Sequence, residues 1–393
     1  MHMRIRRSGP LTIDEIPLGD PRLKEFVAVP WKIHHGDPYW TPPLNSDLLG
    51  SKVLGTVGLL TPENSYHREA EVTHFIARRG TELVGRISAA VNHRFNAHYK
   101  DKFAFFGFFD VVHDYEVARA LLDRARMWGR DRGMRVLRGP GEYSNATHER
   151  QGVLIDGFDS PPTVEQTHNP PYYGEFLEAY GFTKAKDYFA YLAPVGTPMN
   201  PRLETLARHA AVRRNIETRP LRFKDLQNEV RLVVDIYNQA WADNWGFLPI
   251  TSPEADALAD MLRPIIEPGL VRFAYVAGEP AAVFGAFPDP NWALRPRWHF
   301  YGDSDAVRIA RLLVARRHIH RMRLIFFGIL PEYRRLGIDS LLFLEVKKHA
   351  MSKGFVDCDI SLLLEDNFLV IRAAEFMGGK KYKTWRIYDL PLS

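Results

Sequence analysis

One order of patterns occurs twice in this chain: a hairpin, an apolar strand, a helix and a further strand, closed by a short helix and a last strand. In the first half, Glu71–Ala77 and Glu82–Val91 read as strands around the turn at Arg79-Gly80, and Lys102–Phe109 is an aromatic strand. From about Tyr115 to Arg132, Val117, Leu121, Ala125 and Trp128 fall on one helical face, with Arg119, Asp123, Arg126 and Arg130 on the other. Gly133 stops that helix, and Met134–Leu137 resumes strand character. In the second half, Leu270–Val276 and Ala281–Ala286 flank Gly278-Glu279-Pro280, and the charged stretch Asp303–Arg323 leads into the strand Leu324–Leu330. A helix from Asp339 to about Ser352 then turns Leu342, Val346 and Ala350 inward, and Gly354 ends it before the strand that carries Cys358. Alternation of this kind predicts an α/β chain with mixed sheets, built as two copies of one fold.

Each copy closes alike, with a helix over Pro170–Tyr180 and a strand through Tyr188–Tyr191, then a helix over Asn367–Met377 and a strand over Tyr382–Tyr388. Two prolines around Thr197–Pro201 place the boundary, giving domains 1–198 and 199–393. Ahead of the first copy, Leu23, Phe26 and Val27 have helical spacing within Pro21–Trp31, and the ring-rich run His34–Pro43 reads as a packed surface loop. Its two histidines lack the partner spacing of a metal site.

Composition removes several classes. The 393 residues carry a net charge of +5 without a long Lys/Arg run, which suits an anionic ligand and argues against nucleic acid. The single cysteine, Cys358, excludes an internal disulfide framework and a multi-cysteine metal site, and its strand setting predicts a buried, inert thiol. With no apolar run of about 18 residues and no signal-like N-terminus, a soluble cytoplasmic protein without metal is expected.

The stretch Phe326–Leu344 is a strand, a short basic loop and a helix start. Unpaired N–H groups and the positive dipole end at that start, the close approach allowed by Gly337, and Arg334 and Arg335 together make an anion site fit for a phosphate or pyrophosphate. The run Arg334-Arg335-Leu336-Gly337-Ile338-Asp339 resembles the acyl-CoA pyrophosphate loop of the GNAT superfamily of N-acetyltransferases, Q/R-x-x-G-x-G/A. Asp339 stands where that pattern has Gly or Ala. The resemblance extends over most of the chain and implies two tandem GNAT-like folds. It implies an acyl-CoA, such as acetyl-CoA, as co-substrate, a small amine as partner, and pyrophosphate contacts from Arg334 through Ser340. It also implies backbone contacts to pantetheine and the thioester carbonyl from Ile329 and Leu330, and a CoA contact from Asn367, which is equally a good helix cap. The position of the usual acidic tyrosine holds Ala374. In the first copy the equivalent loop, Asp110–Tyr115, has no glycine and two acids, and would not welcome a pyrophosphate.

Acyl transfer to an amine needs a proton acceptor and polarisation of the thioester carbonyl, and with direct attack no Ser or Cys nucleophile. Two polar loops of the first copy, Arg138–Arg150 after a strand and Gln166–Tyr173 before the last helix, are expected side by side. Glu142 or His148 then serves as base and Tyr143 or Tyr172 as acid or orienting group. The plainer alternative is that these are satisfied loop hydrogen bonds. The rings of Trp241 and Trp245 offer an apolar wall or simply core. The expected function is N-acyl transfer from acyl-CoA to an amine, with an apolar or lipid-like acceptor suggested by the ring-rich loops. Two alternatives stay open: a non-catalytic ligand-binding module, and a transferase with a carrier-bound acyl or aminoacyl donor.

Overall fold

The computed structural model describes residues 9–143, 150–197, 201–298 and 303–392. In chain order these form β1 (Leu11–Pro17), α1 (Leu23–Ile33), α2 (Asn45–Leu49), β2 (Ala70–Arg79), β3 (Glu82–Asn92), α3 (His93–Tyr99), β4 (Phe103–Val111), α4 (Tyr115–Asp131), β5 (Val136–Gly141), β6 (Val153–Asp156), α5 (Tyr172–Tyr180) and β7 (Thr183–Pro194). The second half continues with α6 (Pro201–Arg213), β8 (Ile216–Pro220), α7 (Leu226–Ala240), α8 (Ser252–Leu262), β9 (Val271–Val276), β10 (Glu279–Pro288), α9 (Asn291–Leu294) and α10 (Asp305–Ala315). It closes with β11 (Arg321–Ile329), α11 (Ile338–Ser352), β12 (Asp357–Leu364), α12 (Phe368–Phe376) and β13 (Lys380–Pro391). Every strand and helix of the repeated pattern is present within a few residues of its expected bounds.

Two compact units result: Met1–Asp187 with Leu294–Arg311 and Thr384–Ser393, and Tyr188–Ala293 with Leu312–Lys383. In the first unit the sheet runs β1-β2-β3-β4-β5 and ends on the C-terminal part of β13, with Tyr388 opposite Gly139 and Pro391 opposite Val136. In the second the order is β7-β12-β11-β10-β9-β8, with β7 contributing its residues from Tyr188 onward. The terminal strand of each copy thus belongs to the other copy's unit. Within each, one strand pair is parallel, β4 with β5 and β11 with β12, and the helix between them covers one face.

The cores follow from the apolar stripes. Asp114 caps α4 by accepting from Glu116 N, and Val117, Leu121, Leu122, Ala125 and Trp128 are buried against Ile87, Phe106 and Leu137 of the sheet. In the second unit Ile338, Leu342, Val346 and Ala350 of α11 pack on Phe284, Leu324 and Ile360, while Val230, Val233, Val234 and Tyr237 of α7 meet Phe273, Phe287 and Phe326 on the opposite face. Each buried Val, Leu, Ile or Phe among them contributes about 1.5–3 kcal/mol.

At the ends of β4 and β5 two glycines let the strands approach closely. A Cβ on Gly107 would lie 1.7 Å from Gly141 O and 2.5 Å from Glu142 O, so β5 delivers Glu142 directly beside β4, where Ser88 Oγ donates to Glu142 O at 3.2 Å. Gly107→Ala is expected to destabilise the fold by about 1–3 kcal/mol or more through this overlap, seen as a lowered urea midpoint; an unchanged midpoint would mean that the strands part freely.

Candidate active site

The loop after β5 opens onto a cavity of about 110 Å³ in the first unit, whose lining includes Glu142, Arg150, His168, Asp110 and Tyr173, with Trp31 and Trp40 as its apolar wall. Residues of the two polar loops line the same cavity, and Gly152, just past the first loop, joins them: its N donates to Pro140 O, and Thr167 Oγ1 donates to its O at 2.8 Å. Glu142 is half-buried. Burial raises its carboxyl to a pKa of about 7, with Glu165 and Asp47 adding like charge and outweighing the pull of the Arg150 and Arg86 guanidiniums.

Tyr143 turns away into the core. Fully buried and stacked on Tyr66 with ring centroids 5.1 Å apart, it donates its hydroxyl to His74 Nε2 at 2.8 Å. Burial pushes His74 down to about 4, so the ring is neutral and donates from Nδ1 to Ile16 O. Tyr172 and Tyr173 clamp the start of α5 to the end of β4, Tyr172 Oη donating to Val111 O and Tyr173 Oη accepting from Val111 N, both at 2.9 Å. Burial raises both phenols. His148 lies outside the described residues.

The clamp fixes the neighbouring Asp110, which accepts from Arg86 Nε at 2.8 Å and from His34 Nε2 at 2.9 Å. Burial raises this carboxyl, but Arg86 and His34 hold it below the usual range. His34 is buried and stacks on Trp40, 5.0 Å apart and 15° from parallel. The run His34–Pro43, expected as a packed surface loop, buries His34 and Trp40 while His35 and Pro38 stay exposed; Asp110 supplies the partner that lets His34 leave solvent. His168 is likewise seated, donating from Nε2 to Asp37 Oδ2 at 3.2 Å. Against burial, that bond and the Tyr39 N–H hold Asp37 down at about 2. Among the described residues, His168 Nδ1 and Arg150 Nε are buried without a hydrogen-bond partner. From the sequence His168 is one polar residue among several in the Gln166–Tyr173 loop, because its partner Asp37 lies 131 positions away.

In the second unit the basic loop forms the N-terminus of α11. Gly337 is the N-cap, left-handed at φ 83°, and no side chain caps the helix; Arg335 is also left-handed, at φ 65°. The first helical bond runs from Leu341 N to Gly337 O, leaving the N–H groups of Ile338, Asp339 and Ser340 without intrahelical acceptors. Asp339 sits in the first turn rather than at the cap position. Arg334, exposed, donates to Ile329 O and Ala240 O. Leu336 packs at the edge of the core and Ile338 is fully inside it.

Pairing of β11 with β12 stops at Leu324 and Ile360, so the strands separate toward this loop. On β11 beyond that point, Trp241 Nε1 donates to Phe327 O at 2.8 Å, and Leu330 N–H is spent on Ala281 O. Asn367 caps α12, Ala374 is fully buried, and burial raises the Cys358 thiol. The matching helix of the first unit is closed to anions: Asp114 occupies its cap and, with Glu116, pairs with Arg79.

Among the described residues no helix is long and apolar enough to cross a membrane, and no group of three or more potential ligands could hold a metal ion.

Two copies of one α/β fold in this arrangement make a tandem GNAT fold. The chain superposes on a tandem GNAT protein from the clavulanic acid biosynthesis pathway with a TM-score of 0.56 at 13% identity, covering 98% of this chain and 99% of that one. It also superposes on the GCN5-related glucosamine N-acetyltransferase region of a fungal multi-domain GH3 beta-N-acetylglucosaminidase, with a TM-score of 0.53 at 12% identity over 97% of this chain and 38% of that one. No family model matches the chain. It belongs to the family of the bacterial ceramide synthase of Caulobacter vibrioides (strain NA1000 / CB15N), to which it is 32% identical over 392 residues, 96% of this chain and 97% of that protein. It is also similar to the protein YghO of Escherichia coli (strain K12), 27% identical over 376 residues, 93% and 92% of the two chains. The fold is therefore of the GNAT kind.

Proposed function

We propose that the protein is an N-acyltransferase that moves an acyl group from a CoA thioester to the amine of a long-chain amino alcohol, giving a ceramide-type amide. The name of the Caulobacter relative supports the product class. The observation that carries the reading is Glu142: its carboxyl, raised by burial to about 7, belongs to the lining of a cavity walled by Trp31 and Trp40. An amine arrives as ammonium, which the carboxylate attracts and deprotonates. The neutral nitrogen attacks the thioester carbonyl, the tetrahedral intermediate collapses with its C–S bond breaking, and the surplus proton on nitrogen passes to the departing thiolate, giving the amide and the free CoA thiol.

In the second unit taken by itself, the uncapped N-terminus of α11 offers a CoA pyrophosphate the N–H groups of Ile338, Asp339 and Ser340 and the charges of Arg334 and Arg335. Arg334→Ala is expected to weaken acyl-CoA binding about 10- to 100-fold, the loss of one charged phosphate partner; calorimetric affinity equal to wild type would place the donor elsewhere. Thiol release from acyl-CoA across amines of increasing chain length tests the reaction itself. Turnover only with an acyl carrier protein would replace the CoA donor, and no turnover with any donor would leave a binding module.

A further inference from the structure

Helix α10 carries its polarity inside out. Its two arginines are withdrawn from solvent: Arg308 is the buried side chain of the helix, and Arg311, 18% exposed, pairs with Asp303 at 3.0 Å. At about 100° per residue, Ala306, Val307, Ala310, Leu313 and Val314 fall within an arc of about 120°. All five are exposed, Leu313 by 58% and Val314 by 81%. The helix then runs into Arg316-Arg317-His318, which are exposed as well. No Asp or Glu occurs from Ala306 to Pro331, and among the described residues neither Arg316 nor Arg317 takes part in an ion pair. A surface helix ordinarily turns its apolar stripe to the core, so an apolar stripe in water with free cations at its end marks a docking face.

We infer that α10 is the face by which the protein lies on an anionic lipid surface. Leu313 and Val314 enter the boundary between headgroups and acyl chains, and Arg316 and Arg317 meet lipid phosphates. Charge selects this occupant. A bilayer with acidic headgroups is apolar within and negative outside, which complements both parts of the face, whereas a second copy of a chain carrying +5 brings more positive charge to it. At 11 residues the helix is too short to cross the hydrocarbon layer, so it lies in the plane of the surface. The inference goes beyond the proposed reaction and stands without it.

The test is sedimentation of the whole protein with vesicles. Those containing about one-third phosphatidylglycerol should bind it about 10- to 30-fold more tightly than pure phosphatidylcholine, and high salt should remove the difference. Arg316→Ala with Arg317→Ala should weaken binding to the anionic vesicles about 10- to 30-fold, and Leu313→Ser with Val314→Ser about 10- to 100-fold. A dye sensitive to polarity on Leu313→Cys locates the face independently, since Cys358 is buried, and its emission should shift to the blue on anionic vesicles. No vesicle binding by the wild type, equal binding to neutral and anionic vesicles, undiminished binding in either double variant, or an unshifted dye would overturn the inference, as would self-association through Leu313 and Val314 in place of vesicle binding. Thiol release with a water-soluble short-chain amine and no lipid separates the two claims. Turnover without vesicle binding removes the docking face alone, and vesicle binding through α10 without turnover by any donor removes the transferase alone.

Discussion

Glu142→Gln is expected to lower kcat/KM for amine acylation by about 10²- to 10⁴-fold, the usual contribution of a positioned general base. The wild-type profile should rise with pH through about 7, as the carboxyl loses its proton and becomes a base, and the amide variant should lack that limb. Stability moves the other way. A carboxyl whose folded pKa lies above its unfolded one binds more protons in the folded state, so its contribution is greatest below the unfolded value near 4.5 and is lost as pH rises through about 7. Glutamine removes that loss, and the variant should be at least as stable as wild type above pH 7. Activity lost together with stability would instead mark Glu142 as structural, and full activity in the variant would remove it from the chemistry.

Arg308→Met should cost about 3–5 kcal/mol of stability. The guanidinium is fully buried and donates to three backbone carbonyls: Leu294 O and Pro43 O at 2.8 Å and Pro42 O at 2.5 Å. Burial draws its pKa down to about 10, so it remains charged at neutral pH. Pro42 and Pro43 line the cavity and Trp31, 5.6 Å under the guanidinium, forms its wall. Removing the fork leaves three buried acceptors unpaired, and Arg308→Lys should rescue little because one ammonium cannot span the same fan of carbonyls. A loss below about 1 kcal/mol in urea unfolding would mean that water reaches these carbonyls.

Local pattern carried the elements well. The stripe Val117, Leu121, Ala125, Trp128 and the matching stripe Leu342, Val346, Ala350 lie inward as their spacing predicts, and the contrast between the two helix starts was readable from Gly337 against Asp114. What escaped was non-local. The apolar pattern of β13 says that Tyr388 and Leu390 belong to a strand, but not that they close the first unit's sheet. Arg308 falls within what reads only as the charged stretch Asp303–Arg323, since nothing nearby in sequence announces the carbonyls of Pro42 and Pro43 that take it inside. His34 and His168 likewise become buried through Asp110 and Asp37, 76 and 131 residues distant. Polar residues are thus the least legible class, because their burial depends on partners that the fold supplies and the local pattern does not.

Incubation of the purified protein with a long-chain acyl-CoA and a long-chain amino alcohol, with mass spectrometry of the lipid product and titration of free thiol, is the most direct measurement. The expected result is an N-acyl amide formed one-for-one with CoA thiol, at a rate cut about 10²- to 10⁴-fold by Glu142→Gln. No amide from any amine, with either CoA esters or an acyl carrier protein as donor, would contradict it.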